Sequence, residues 1–313
     1  MSVMNSLFWD ECNAACAAIP PACHPWGRGW SAAVASIFEA AAAKPGNVHP
    51  TASFPDLSFG DLVAAGIAIA KPMGQAVARP VGETILTAVR ASRAATPSNA
   101  NLGIVLLVAP VAAVLDPPMT AEAIDAILAS LSAADAEAIW QAIALARPGG
   151  LGTSDRWDIA GPPPGDVRAA MQHAADRDSI AWLWANGYAD LFAGPVADLA
   201  RDAAAGVPLP QAIVRAHIRQ LARVPDSLIV RRHGSDTAAD VSRRAQALVA
   251  DEDAPNWPDK VAAFDAFLRQ PRRLNPGTTA DLLAAAIYIL LRDGRLRPIL
   301  PCAPPSLQSF NRP

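Results

Sequence analysis

Residues 31–50 read SAAVASIFEAAAAKPGNVHP, an alanine-rich apolar run that ends in Lys44-Pro45-Gly46-Asn47-Val48-His49-Pro50. Val34, Ile37 and Phe38 recur at helical spacing with Glu39 beside them, so the run predicts a helix over 31–43. The heptapeptide then stops it: Pro45 cannot continue the helix, Gly46 admits positive φ, and Pro50 holds His49 extended. Glu39 and Lys44 therefore emerge near one helix C-terminus, at a polar turn suited to a ligand. Ordinary Pro-Gly punctuation, with Lys44 complementing the helix dipole, is the plainer reading of the same residues. Recurrence favours the ligand: similar polar, Gly-containing breaks stand at 98–103, 226–234 and 275–281, each beside an apolar helical stretch.

Two of these breaks feed the most apolar segments of the chain. Residues 104–115 are apolar on all faces and 282–291 mirror them, which predicts two helices at the centre of a bundle. Asn99 and Asn101 fall where the first begins, a place for capping or for an anion drawn by free backbone N–H groups. Further helices are expected from Asp56 to residue 70, over 81–95, after Thr120-Ala121-Glu122, after the capping-box pattern Ser132-Ala133-Ala134-Asp135, from Asp166 through Tyr188, and over 196–205, 209–224, 238–249 and 259–269. Asp176, Arg177 and Asp178 read as a solvated face. Only 227–230 hints at a strand, too short to define a sheet. The expectation is an all-α protein: a single multi-helix bundle over 31–300, an N-terminal extension at 1–30 and a tail at 301–313. Residues 147–165 hold four prolines and five glycines and form the longest loop, a mobile lid or a domain boundary in which Asp155 and Asp158 lean towards function.

Composition narrows the partners. In 313 residues, 52% are hydrophobic and 18% charged, enough to bury a large core without disorder. A net charge of −3 gives no footprint for nucleic acid, although Arg231-Arg232 and Arg243-Arg244 suit a local anion, so a polyanionic small molecule fits better. No apolar stretch is long enough to cross a membrane. Asp10 and Glu11 stand where a secretory signal needs basic then apolar residues, so a cytoplasmic protein is expected, with a homo-oligomer left open. Cys12, Cys16 and Cys23 with His24 form a cluster that zinc would accept, or small buried residues of a reducing compartment.

With these breaks in hand, the chain resembles the triphosphoribosyl-dephospho-CoA synthases that serve citrate lyase and malonate decarboxylase. The matching pieces are Lys44-Pro45-Gly46-Asn47-Val48, Asn99-Ala100-Asn101-Leu102-Gly103, Asp226 through Gly234, and Asn275-Pro276-Gly277-Thr278-Thr279-Ala280-Asp281-Leu282-Leu283-Ala284-Ala285, the most specific of the four. The resemblance implies an all-α fold and a magnesium-dependent transfer of the 5-triphosphoribosyl group of ATP to the 2'-hydroxyl of dephospho-CoA, releasing adenine. Typical members read Asn-Thr-His-Lys-Gly where this chain has Asn99-Ala100-Asn101-Leu102-Gly103, so an imidazole and a cation are missing. Asp226, Arg232 and Gly234 survive from the family's third motif, while Ser227, Leu228 and His233 depart from it. The wording is closer to a diverged branch in methanogens and methylotrophs, which makes another nucleotide- or phosphoribosyl-dependent step in cofactor synthesis for pterin-linked one-carbon metabolism the first alternative. A non-catalytic helical binding or scaffold protein on the same fold is the second.

Displacing adenine at the anomeric carbon passes through an oxocarbenium-like centre, which calls for a carboxylate near the ribose, cations at the triphosphate and a donor for the leaving base. On this resemblance Asp226 and Asp281 are expected at Mg2+ or at the developing positive charge, and Lys44 and Arg232 at phosphates. Asn47, Asn99 and Asn275 orient the nucleotide, and Asn101, Thr278 and Thr279 complete its binding turns. One or two carboxylates plus phosphate oxygens suffice for magnesium. Dipole capping by Asp281 and a surface ion pair at Arg232 are the bland counterparts. The enzyme reading requires the four breaks to meet in one cleft around the two apolar helices.

Overall fold

A computed structural model describes residues 27–150 and 153–296. The cysteine cluster with His24, most of the N-terminal extension and the tail at 301–313 lie outside the described residues. The helices are α1 (Arg28–Ala41), α2 (Phe59–Ala68), α3 (Ala70–Gly74), α4 (Val81–Ala95), α5 (Leu102–Ala113), α6 (Ala121–Ala129), α7 (Ala133–Ala146), α8 (Val167–Ala174) and α9 (Ser179–Asn186). The short α10 (Ala189–Leu191) then runs through a π-helical turn (Phe192–Val196) into α11 (Ala197–Ala204). The chain continues with α12 (Leu209–Arg223), α13 (Ser227–His233), α14 (Ser235–Ala250), α15 (Trp257–Arg269) and α16 (Gly277–Arg292). Among the described residues there is no β-strand, only two isolated bridges in the turn after α1, so the fold is all-α as expected. None of these helices is long and apolar enough to cross a membrane.

Local chemistry sets the boundaries. The Ser132–Asp135 capping box starts α7, and Thr120 caps α6. The helix expected from Asp56 begins later, because Ser58 and Asp61 form a second capping box. Residues 227–230 are helix, not strand: Asp226 accepts hydrogen bonds from Leu228 N (2.9 Å) and Ile229 N (3.1 Å), which nucleates α13. The continuous helix expected from Asp166 to Tyr188 is broken after Ala174, where Asp178 caps α9 through Ile180 N and Ala181 N.

α16 lies at the centre, with every side chain from Leu282 to Leu291 buried, and packs against α1, α5, α12 and the π-helical turn. α5 is buried from Ile104 through Ala112 and contains Pro110, which cannot donate to Leu106 O one turn back. Trp184 Nε1 compensates by donating to Leu106 O at 3.2 Å, and one turn on Tyr188 Oη donates to the neighbouring Leu107 O at 3.0 Å, both from fully buried positions. Trp184→Phe keeps a ring in the core but orphans Leu106 O, at a cost of about 1–3 kcal/mol. Thermal melting should show a midpoint several degrees lower at unchanged helical content; an unchanged midpoint would mean that this bond contributes nothing.

A smaller apolar cluster, including Ile218, Leu221, Ile229, Val241, Phe264 and Leu268, joins α12 to α15. It carries α13 and the 270–276 turn towards the starts of α5 and α16.

Candidate active site

The four polar breaks meet. A cleft of about 560 Å³ is lined by Asn47 from the first, Asn99 and Asn101 from the second, Arg232 from the third, and Asn275, Thr278 and Asp281 from the fourth. That volume lies in the range of small-molecule sites. Gly46 makes the meeting of the first and last breaks possible: it sits at φ 77°, and a Cβ there would fall 2.8 Å from Pro276 Cδ. Beside it, Asn47 Nδ2 donates to Asn275 Oδ1 at 2.8 Å, and Asn47 Oδ1 is buried with no hydrogen-bond partner among the described residues. Asn99 is exposed at the rim.

The floor holds two carboxylates. Glu39, from the last turn of α1, and Asp281, one turn into α16, both line the cleft. Glu39 is paired with Lys44 Nζ at 2.8 Å. Asp281 has no hydrogen-bond partner among the described residues. Burial pushes its pKa well up, and the nearby Glu39 and Asp226 add to the rise, against which Arg231 pulls. Burial likewise raises Glu39, opposed by the Lys44 charge. Gly103 makes room for this arrangement: a Cβ at that position would sit 2.0 Å from Asp281 Oδ2, so glycine lets the start of α5 close over the carboxylate without displacing it. The sequence pointed to Glu39 only as a neighbour of Lys44; its place in the site becomes visible once α16 is laid against α1.

Two expected residues stand behind the wall. Lys44 is fully buried and bonds to Glu39 O and, at 3.3 Å, to Ala42 O, so its ammonium neutralises Glu39 instead of reaching a phosphate. His217 is buried nearby on α12, and burial followed by the Lys44 charge lowers its pKa to about 3, so it stays neutral and adds no second cation. Asp226 is 2% exposed and does not line the cleft. One of its oxygens caps α13, and the other accepts from Thr279 N (2.7 Å) and Thr279 Oγ1 (2.8 Å). Asp226 and Thr279 thus form the joint that fixes α13 to α16, and no Asp226 oxygen is left for a metal. Thr278 faces the cleft while its Oγ1 accepts from Ser227 Oγ at 3.0 Å.

Asn101 is also spoken for. Its Oδ1 accepts from Ser92 Oγ at 2.7 Å and its Nδ2 donates to Ala65 O at 3.1 Å, so the side chain ties α5 to α4 and α2 and does not cap its own helix. The first turn of α5, with Leu102, Gly103 and Ile104 on the cleft, therefore presents its N-terminal dipole to whatever binds there.

Arginines ring the mouth. Arg231 pairs with Asp178, which the sequence had assigned to a solvated face, and Arg273 pairs with Asp56 at 2.5 Å. Arg232 is exposed and has no ion-pair partner among the described residues; it lies over Gly149, where a Cβ would come within 2.6 Å of its Nη2. The long proline- and glycine-rich segment completes the wall with Arg147, Arg156, Trp157 and Asp158. The segment is thus part of the site. Arg243 and Arg244, in contrast, pair with Asp240 on the surface of α14.

Among solved structures, the chain is similar to one from Archaeoglobus fulgidus described as a triphosphoribosyl-dephospho-CoA synthase, with 20% identity, 75% of this chain and 100% of that chain covered, and a TM-score of 0.58. At that identity the likeness is one of fold. No curated protein matches the chain. The profile of the ATP:dephospho-CoA triphosphoribosyl transferases matches residues 26–298, a span that takes in all four breaks and both floor carboxylates, and the chain belongs to that transferase family.

Proposed function

We propose that this chain transfers the 5-triphosphoribosyl group of ATP to the 2'-hydroxyl of dephospho-CoA and releases adenine, with Asp281 and Glu39 at the reacting centre. The observation that carries this reading is the unpartnered Asp281 carboxylate on the floor of the cleft where all four breaks meet. The bond from the anomeric carbon of ATP to adenine breaks and a bond from that carbon to the acceptor oxygen forms. The proton lost by the hydroxyl balances the one gained by adenine. A carboxylate of raised pKa suits the task of accepting that proton, and Glu39, its charge balanced by Lys44, lies near it on the floor of the cleft.

The donor set fits magnesium of the kind held by substrate. Glu39 and Asp281 supply one or two carboxylates, and no group of three or more metal-ligating side chains exists among the described residues, so phosphate oxygens and water would complete the shell. Bound there, the ion would neutralise triphosphate charge. Arg232 and the α5 N-terminus face the same phosphates, and the Asn47–Asn275 amide pair orients the ribose or base. The cation lost at Leu102 is made good by Arg232 at the mouth. Small-molecule substrates of this kind are cytoplasmic, which supports a cytoplasmic site of action for the proposed reaction.

Isothermal titration with MgATP tests the reading. Asp281 carries a proton at the acidic end of the range, and a metal must displace it, so affinity should rise as pH rises through the raised pKa and then level off. Folded protein that binds no MgATP, or binds ATP equally well without magnesium at every pH, would count decisively against it.

A further inference from the structure

The segment between α7 and α8 is built as a platform. Asp158 accepts hydrogen bonds from Ser154 N and Ala160 N, each at 2.8 Å, and these bonds hold its carboxyl below the usual range. Its carbonyl accepts from Trp140 Nε1 at 3.4 Å, and Ser154 Oγ donates to Arg156 O at 2.7 Å. Within this frame Trp157 stands at φ 54°, a conformation that bulky residues avoid, with its ring edge-on to His173 at 5.8 Å. The Arg156 guanidinium lies over that ring, 3.7 Å from its centroid, and has no carboxylate partner among the described residues. Both residues line the cleft, and Arg156 is exposed.

We infer that this platform is the acceptor subsite: Arg156, held in place by Trp157, takes the pyrophosphate of dephospho-CoA. The inference rests on the proposed reaction and adds to it which substrate lies where. The ribose of ATP has to reach Glu39 and Asp281 on the floor, beside the first turn of α5, so ATP fills the deep end. The acceptor hydroxyl must then arrive over that ribose from the solvent side, and the remainder of a long acceptor has to leave through the mouth. A guanidinium set over an indole at that rim matches a diphosphate linked to an adenosine. Stacking holds the charge without neutralising it, whereas Arg231 and Arg273 spend theirs on Asp178 and Asp56. Trp157 is a positioning residue here, acting through Arg156.

Steady-state kinetics on the parent come first, with ATP and dephospho-CoA varied in turn. Absence of turnover in the parent would sink the proposed function, and this assignment with it. Given turnover, Arg156→Ala should raise the KM for dephospho-CoA by about tenfold or more while the KM for ATP stays within about twofold. Arg156→Lys should recover part of the loss. Trp157→Ala should reproduce the effect in weaker form, and Trp157→Phe should restore it. Arg156→Gln, which keeps the side-chain stem over the indole, serves as the second variant should the alanine change disturb folding. A KM for ATP that rises as much as that for dephospho-CoA would place Arg156 at the triphosphate and overturn the assignment alone; so would two unchanged KM values.

Discussion

Asp281→Asn should lower adenine release by about 10²–10⁴-fold while leaving the protein as stable as its parent or more so. The substitution keeps the shape that fits against Gly103 but removes the ionisable group. Burial, with Glu39 and Asp226 nearby, raises the Asp281 pKa, so the folded state holds this proton more tightly than the unfolded chain does. Stability is therefore full below the ordinary carboxylate pKa and declines as pH climbs to the raised value, a loss the asparagine variant does not suffer. Its melting temperature should match the parent's in acid and exceed it near neutrality. Retained turnover would remove Asp281 from the reaction. A lower melting temperature at every pH would make it a structural cap.

Lys44→Met should have the largest effect on stability. Lys44 is fully buried and Glu39 nearly so, and removing one partner leaves a charge in the interior with nothing to balance it, at about 3–5 kcal/mol. For a chain of this size that amounts to a fall of roughly ten degrees in melting temperature. Without Lys44 the Glu39 pKa rises further, so the deficit shrinks as the medium is acidified and Glu39 takes up a proton, and it grows as pH rises. The double variant Lys44→Met, Glu39→Gln should regain most of the stability and none of the turnover. A single variant that melts like the parent but shows a raised KM for ATP would return Lys44 to the phosphate role expected from the sequence.

Helical chemistry was legible because it is local. The apolar runs at 104–115 and 282–291, the Ser132–Asp135 box and the proline stop after α1 each state their case within a few residues. The convergence of the four breaks was legible too, since helices apolar on all sides must be surrounded, and polar turns at their ends are costly to bury without partners. What each polar residue does inside the breaks depends on contacts with distant segments. Asp226 looked like a metal ligand until Thr279, fifty-three positions away, claimed its second oxygen. Lys44 looked like a phosphate ligand because nothing in sequence says that Glu39 turns back to meet it in the interior. Asp178 gave the reverse error: its neighbours suggested solvent, and Arg231 from another helix brought it into the cleft. The Arg156–Trp157 platform left one trace, a tryptophan and an arginine inside a loop dense in glycine and proline, but a positive φ cannot be read from a tryptophan.

Incubating the folded protein with ATP, magnesium and dephospho-CoA, then measuring free adenine together with the mass of the acceptor, tests the central claim most directly. The account predicts one adenine released for each acceptor that gains a triphosphoribosyl group, with neither product formed when dephospho-CoA or magnesium is left out. Protein that binds MgATP yet releases no adenine, or that releases adenine while the acceptor mass stays unchanged, would contradict it.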